Sequence, residues 1–388
     1  MRNILAVTMA AVLLGGCGVG KWFSRDRDQA PPSATLPPAA PAPVQRLWRR
    51  DIGPGGGVRD LRLVPAAAGD AVYAADADGT VVALAADSGK VRWQRRLKAA
   101  ITGATGAGGG LVLLGTQEGE VIALAQADGA PRWRAQLSSE VLSPPAAAGG
   151  VVVARSVDGK VFGLTAGEGQ KLWIYERGVP GLTLRGTSAP VIHGGRVFTG
   201  FASGRLAAND LKTGQVLWEA LVSLPRGRNE LERLVDVDTQ PLVMGDTLYA
   251  AAYQGKVVAL GVADGRLRWE RTASTYNDLA ADDRHLYLTD EAGRVIALDR
   301  ASGAPAWRQE ALKGRRLGAP AVVGGHVAVV DGAGWLHLLD PADGRLTGRA
   351  RLEGKHSLSR PVVAGDRLFL LSRDGTLLAL RVGGAGRP

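Results

Sequence analysis

The sequence predicts an all-β chain folded as an eight-bladed β-propeller of four-stranded antiparallel blades, its ring closed by an N-terminal strand pairing into the C-terminal blade. Three observations carry this reading. A unit recurs eight times. A tryptophan returns at one fixed place in it. Glycine makes up 54 of 388 residues, about twice the usual share of roughly 7%, and falls between short apolar runs where tight turns are needed.

Segments 71–93, 111–133, 151–173, 196–218, 247–269, 285–307 and 326–348 align without gaps, and 367–382 is an eighth copy that stops after its third strand. The first turn glycines, Gly79, Gly119, Gly159, Gly204, Gly255, Gly293, Gly334 and Gly375, are spaced 40, 40, 45, 51, 38, 41 and 41 residues apart. Each unit reads as four strands. A run such as Pro190-Val191-Ile192 ends at a Gly-Gly or Gly-Asp turn, and a second such as Leu248–Ala251 ends at x-x-Gly. A third such as Val257–Leu260 ends at Gly265, and a fourth leads into the tryptophan. No helical period persists. The eighth copy lacks its outermost strand, and Val44-Gln45-Arg46-Leu47-Trp48 supplies one with a tryptophan of its own.

Trp48, Trp93, Trp133, Trp173, Trp218, Trp269 and Trp307 share one repeat position and are expected to dock between neighbouring blades; Gly348 takes that place in the seventh unit, which predicts a weaker junction there. The second long spacing comes from residues 219–240, the longest connection. Within it Asn229-Glu230-Leu231-Glu232 has the form of a capping box, which predicts one or two helical turns.

Composition excludes several functions. A 46% hydrophobic content argues against disorder. One cysteine excludes an intramolecular disulfide framework and a cysteine-rich zinc site. Five scattered histidines contain no H-x-x-x-H pair. The net charge of +10 is spread along the chain, with small clusters only at Arg46, Arg49, Arg50 and at Arg315, Arg316, so no nucleic-acid partner is expected.

Residues 1–16 read as a secretory signal: Arg2, then the apolar stretch Ile4–Leu14, too short to span a bilayer. Leu14-Gly15-Gly16-Cys17 resembles the lipobox of bacterial lipoproteins, which implies lipidation of Cys17, and Gly18, rather than aspartate, implies passage to the outer membrane. Residues 17–43 then form the lipidated cysteine and a tether with six prolines between Gln29 and Pro43, and residues 44–388 form the propeller.

The unit from Ala83-Leu84 through Gly89 to Trp93 resembles the tryptophan-docking repeat of quinoprotein (PQQ) propellers; a WD40 origin is excluded because no Trp-Asp dipeptide ends a unit. One reading is therefore a PQQ-dependent dehydrogenase. Such enzymes usually run longer and carry a calcium-ligand set, a catalytic aspartate and often a vicinal cysteine pair; the single cysteine excludes that pair, and no carboxylate cluster declares itself. A second reading is a propeller that binds a periplasmic polymer, for which only Trp22 and Trp335 lie outside the docking position. The third fits best. Lipobox, Pro-rich tether and eight PQQ-like blades together resemble the BamB family of outer-membrane β-barrel assembly lipoproteins. Leu182–Pro190 (LTLRGTSAP) resembles that family's L-x-L-R-G segment and Glu232–Thr239 (ERLVDVDT) its R-L-x-D-V-D-T segment.

The resemblance implies a non-enzymatic, cofactor-free scaffold on the periplasmic face of the outer membrane. It implies contact with the POTRA domains of BamA, the central barrel-assembly protein, through Leu182, Leu184, Arg185, Asp236 and Asp238. Residues 174–189 and 219–240 are neighbouring blade connections and so share a face of the disc, which places these five residues together. Leu182 and Leu184 suit apolar anchors and Arg185 a fork for a carboxylate, either the partner's or that of Asp236 or Asp238. Exposed blade edges are further expected to offer pairing to unfolded β-barrel clients.

Overall fold

The computed structural model describes residues 43–56, 61, 63–183, 188–225, 228–229, 231–232, 234–352 and 360–383. The expected signal, the expected lipidation site Cys17 and most of the expected tether lie outside the described residues. The described chain forms thirty-two strands in eight four-stranded antiparallel sheets and no helix. Blade 1 is typical: Ala66–Ala68, Ala71–Ala75, Thr80–Ala85 and Val91–Arg96 follow one another from the axis outward. First strands of consecutive blades touch around the axis from blade 6 through 8 and 1 to blade 4. The middle two strands are almost wholly buried and supply the core between blades.

Ring closure follows the sequence reading. Val362–Ala364, Arg367–Leu371 and Thr376–Val382 form three strands of blade 8, and Val44–Asp51 pairs antiparallel with Thr376–Val382 as the fourth. Seven of the eight first turn glycines have the expected positive φ. In blade 5 Gln254 takes the left-handed position, at φ 47°, and Gly255 does not. Glycine is needed there for space: a Cβ on it would lie 2.7 Å from Ser223 Oγ.

The tryptophans dock as expected, and the structure shows on what. Each indole Nε1 donates to a backbone carbonyl of the next blade's third-to-fourth-strand turn: Trp48 to Ala86, Trp93 to Gln126, Trp133 to Ala166, Trp173 to Leu211, Trp218 to Val262, Trp269 to Arg300 and Trp307 to Pro341, at 2.8–3.1 Å. Each ring also lies flat against that turn's glycine; a Cβ on Gly265 would stand 2.6 Å from the Trp218 ring. In five blades an aromatic residue of the second strand backs the ring, as Phe198 backs Trp218 at 5.7 Å.

The absence of a tryptophan at Gly348 now has a reason. Blade 8 has no third-to-fourth-strand turn, because its fourth strand comes from the other end of the chain. Seven sockets exist for seven tryptophans. The seventh junction is filled instead by an aliphatic cluster including Val330, Leu336, Leu338, Leu368, Leu370 and Leu380. Gly348→Trp is therefore expected to give no rise in melting temperature, since the new indole has no carbonyl or glycine to receive it; a clear rise in a thermal melt would show that an acceptor exists.

Candidate loop face and outer edge of blades 3 and 4

Blade-to-blade connections lie on the same face as the second-to-third-strand turns and are stitched to them by backbone hydrogen bonds. The residue pair Glu140-Val141 shows the rule: Val141 N–H donates to Thr116 O of the blade before, and Glu140 O accepts from Val157 N–H of the blade after. Asp236-Val237 repeats it, with Val237 N–H to Phe201 O and Tyr253 N–H to Asp236 O. From tryptophan to the stitched valine is 8 residues in blade 2 (133 to 141) and 19 in blade 4 (218 to 237). The 11 extra residues therefore precede a fixed anchor, and among the described ones Leu224 and Leu231 are exposed.

That anchor settles where the acidic pair sits. Asp236 is only 1% exposed and Asp238 is half-buried. Ser188 Oγ donates to Thr239 O and Thr239 Oγ1 to Ala251 O, fixing the same segment to blades 4 and 5. Leu184 and Arg185 lie outside the described residues. Leu182 is described, 39% exposed. The capping pair forms, with Glu232 N–H donating to Asn229 Oδ1 at 2.9 Å and Arg228 N–H to Glu232 Oε2 at 2.8 Å. It closes a turn rather than the expected helical turns, because the chain is drawn into the blade at Leu234 and Val235 before helix propagation can offset nucleation.

One residue escaped the sequence reading. Arg155, 3% exposed, ends the second strand of blade 3 and lies over the Phe201 ring at 5.0 Å. Its Nε and Nη1 make no hydrogen bond. Burial pulls its pKa below the usual arginine range, opposed by the charges of Asp238 and Asp236. The repeat carried a signal: the same position holds Ala75, Gly115, Gly200, Ala251, Thr289, Val330 and Leu371 in the other blades, so arginine is the outlier. The arrangement gives the acidic pair a buried counter-charge from the neighbouring blade.

The outer strands differ sharply around the ring. All eight carry a bulge beside the tryptophan position. Six also carry arginine, as in Arg92 and Arg95 or Arg268 and Arg271. Bulges and charges of this kind discourage strand addition; the bulge does so at every edge, against the expectation of open blade edges, and only blades 3 and 4 lack arginine as well. There the strands read KLWIYE and VLWEAL. Of the twelve large apolar side chains that are strongly exposed among the described residues, nine fall between residues 172 and 231, including Ile174, Leu182, Leu217, Leu224 and Leu231. One sector of the molecule thus presents an apolar surface on its edge and on its loops.

Comparison with known proteins agrees with this architecture. The family model described as outer membrane protein assembly factor BamB matches residues 41–108, 77–309 and 302–384. Outer membrane protein assembly factor BamB of Alkalilimnicola ehrlichii is 51% identical over 382 residues, covering 98% of this chain and 97% of the relative. The chain belongs to the BamB family. The Pseudomonas aeruginosa protein of the same name is 46% identical, with 98% of each chain covered. The crystal structure of BamB from Moraxella catarrhalis superposes with a TM-score of 0.80 at 29% identity, covering 87% of this chain and 99% of that one. Quinohemoprotein alcohol dehydrogenase from Comamonas testosteroni, at 14% identity and a TM-score of 0.69, covers 89% of this chain and 77% of its own and shares the fold.

Proposed function

We propose that this BamB-family chain is a non-enzymatic scaffold of the outer-membrane β-barrel assembly complex. It is held to the periplasmic face of the membrane by lipid on Cys17 and binds the POTRA domains of BamA through the loop face and edge of blades 3 and 4. The observation that carries this reading is the concentration of exposed apolar side chains between residues 172 and 231, beside the segments that resemble the family's partner-binding motifs. Leu182, Leu184 and Arg185 are the contact group. Asp236, being buried, acts by holding the loop, and Asp238 works with it, both within electrostatic reach of Arg155.

The test is binding of the chain from residue 18 onwards to the POTRA region of the same organism's BamA, wild type against Leu184→Glu with Arg185→Glu and, separately, Leu182→Glu with Leu224→Glu. Wild-type affinity in the micromolar range or tighter is expected, with each pair of changes weakening it at least about thirtyfold, as for interface hot spots, while the thermal melt stays put. A folded wild-type protein that does not bind would end the proposal.

A further inference from the structure

Most of the rim's positive charge is gathered on one arc. The outer strands of blades 8, 1 and 2 are consecutive around the ring and expose Arg46, Arg49 and Arg50, then Arg92, Arg95 and Arg96, then Arg132 and Arg134, against one acid, Asp51. Arg92 is neutralised by Asp70 and Arg134 by Glu120. Arg50, Arg95 and Arg96 donate instead to neutral oxygens, Gly89 O, Asp128 O and Thr80 Oγ1. Together with Arg132 they form no ion pair among the described residues, so their charge faces solvent.

Elsewhere most rim cations are answered, the exceptions being Lys171 of blade 3 and Arg271 of blade 5, which donates to Gly303 O. Arg177 pairs with Glu219, Arg268 with Asp246, Lys256 with Glu270 and Arg308 with Glu310. Arg349 and Arg351 lie over the Trp335 ring at 5.1 and 5.4 Å. The outer strand of blade 4 carries only Glu219. The chain joins the disc at Pro43 and Val44, where Gly383 N–H donates to Pro43 O, at the head of the blade 8 outer strand. The chain therefore enters the disc at the basic arc, half a turn of the ring from blade 4.

We propose that this arc is a docking surface for an anionic lipid headgroup layer, and that it sets the disc edge-on to the membrane. A basic surface next to an anionic bilayer is attracted within about a Debye length, roughly 8–10 Å at ordinary salt. An anchor attached to the same arc, as the proposed lipid on Cys17 would be, raises the arc's effective concentration at the surface. A lipid layer fits better than a single anion because the four unpaired arginines are strung over three blades rather than converging on one point. The posture leaves blade 3 on the side of the disc and blade 4 on its far half, so their apolar sector stays open to a soluble partner.

The described fold is closed within residues 43–383, so the chain from residue 18 tests this without its lipid. Its co-sedimentation would be measured with phosphatidylethanolamine vesicles containing about one-third phosphatidylglycerol, and with vesicles in which phosphatidylcholine replaces the anionic lipid. Two variants of equal net charge are compared. Arg50→Glu, Arg95→Glu and Arg132→Glu lie on the arc; Arg266→Glu, Arg284→Glu and Arg308→Glu lie on blades 5 and 6. Binding to anionic vesicles only, reduced at least about tenfold by the arc variant and little by the other, is the expected result, with loss at roughly 0.5 M salt. Equal loss in both variants would show a response to total charge alone. That result, equal binding to zwitterionic vesicles, or no binding to either, would overturn the proposal. An unchanged melt and unchanged POTRA binding by the arc variant separate its failure from that of the scaffold reading.

Discussion

A chain that starts at residue 52 is expected to lose the single sharp melt of the full ring and to unfold at a markedly lower temperature. The strand Val44–Asp51 does more than fill out blade 8. Trp48 is 7% exposed, its ring rests on Gly89 of blade 1 and its Nε1 donates to Ala86 O at 3.1 Å. Phe369 of blade 8 backs it at 6.0 Å, and Ile52 N–H donates to Gly375 O at 3.0 Å. One segment thus completes the sheet of blade 8 and the junction between blades 8 and 1.

A docked tryptophan buries about 150–250 Å², worth at most roughly 4–6 kcal/mol of transfer energy. Trp48→Ala alone should cost about 3–5 kcal/mol and lower the melt by roughly 5–15 °C. Trp218→Ala removes an equivalent docking but leaves the ring closed, so it is the control. Calorimetry should show the deletion melting below Trp218→Ala and over a broader range, because an open ring has two free ends from which blades can separate. If the deleted chain melts with the cooperativity of the wild type, closure by this strand is not what couples the blades.

The second large effect lies at the sockets. Gly265 and Gly245 both hold φ values that disfavour a side chain, +67° and +62°. A Cβ on Gly245 would meet nothing within 4 Å, whereas a Cβ on Gly265 would press on the Trp218 ring at 2.6 Å. Gly245→Ala should cost only the left-handed backbone penalty, about 1–2 kcal/mol. Gly265→Ala should cost that plus displacement of Trp218 from its carbonyl and its pocket, about 3–5 kcal/mol in all. Denaturant unfolding of the two variants checks it. Equal losses would mean that the indole shifts freely and that the glycine serves turn geometry alone.

The apolar sector illustrates how little of the site a strand pattern reveals. By strict alternation in Val216-Leu217-Trp218, Leu217 faces opposite to its two neighbours. The bulge between Ala208 and Asn209 breaks that register, so Val216 and Leu217 are both exposed and Trp218 turns inward. Asn229 and Glu232 were legible as a bonded pair, but the helix they suggested depended on whether the following residues stayed outside. The stitched position of Asp236-Val237 pulled them in. Arg155 and Phe201 meet from adjacent blades, 46 residues apart, a contact that no local pattern encodes.

By itself the sequence determined the blade number, the strand order within each blade, the closing strand and the role of the tryptophans. These follow from local rules repeated eight times: glycine where the chain must turn, apolar runs where a strand must be covered, and one large ring where blades must meet. Only the tertiary structure decided that Asp236 is buried, that the missing tryptophan matches a missing socket, that most exposed apolar side chains gather on blades 3 and 4, and that four of the outer-strand arginines without an ion pair gather on blades 8, 1 and 2. These features arise between blades that lie far apart in sequence. Closing the ring fixes which side chains meet there, and the register of each outer strand fixes which of them reach the solvent.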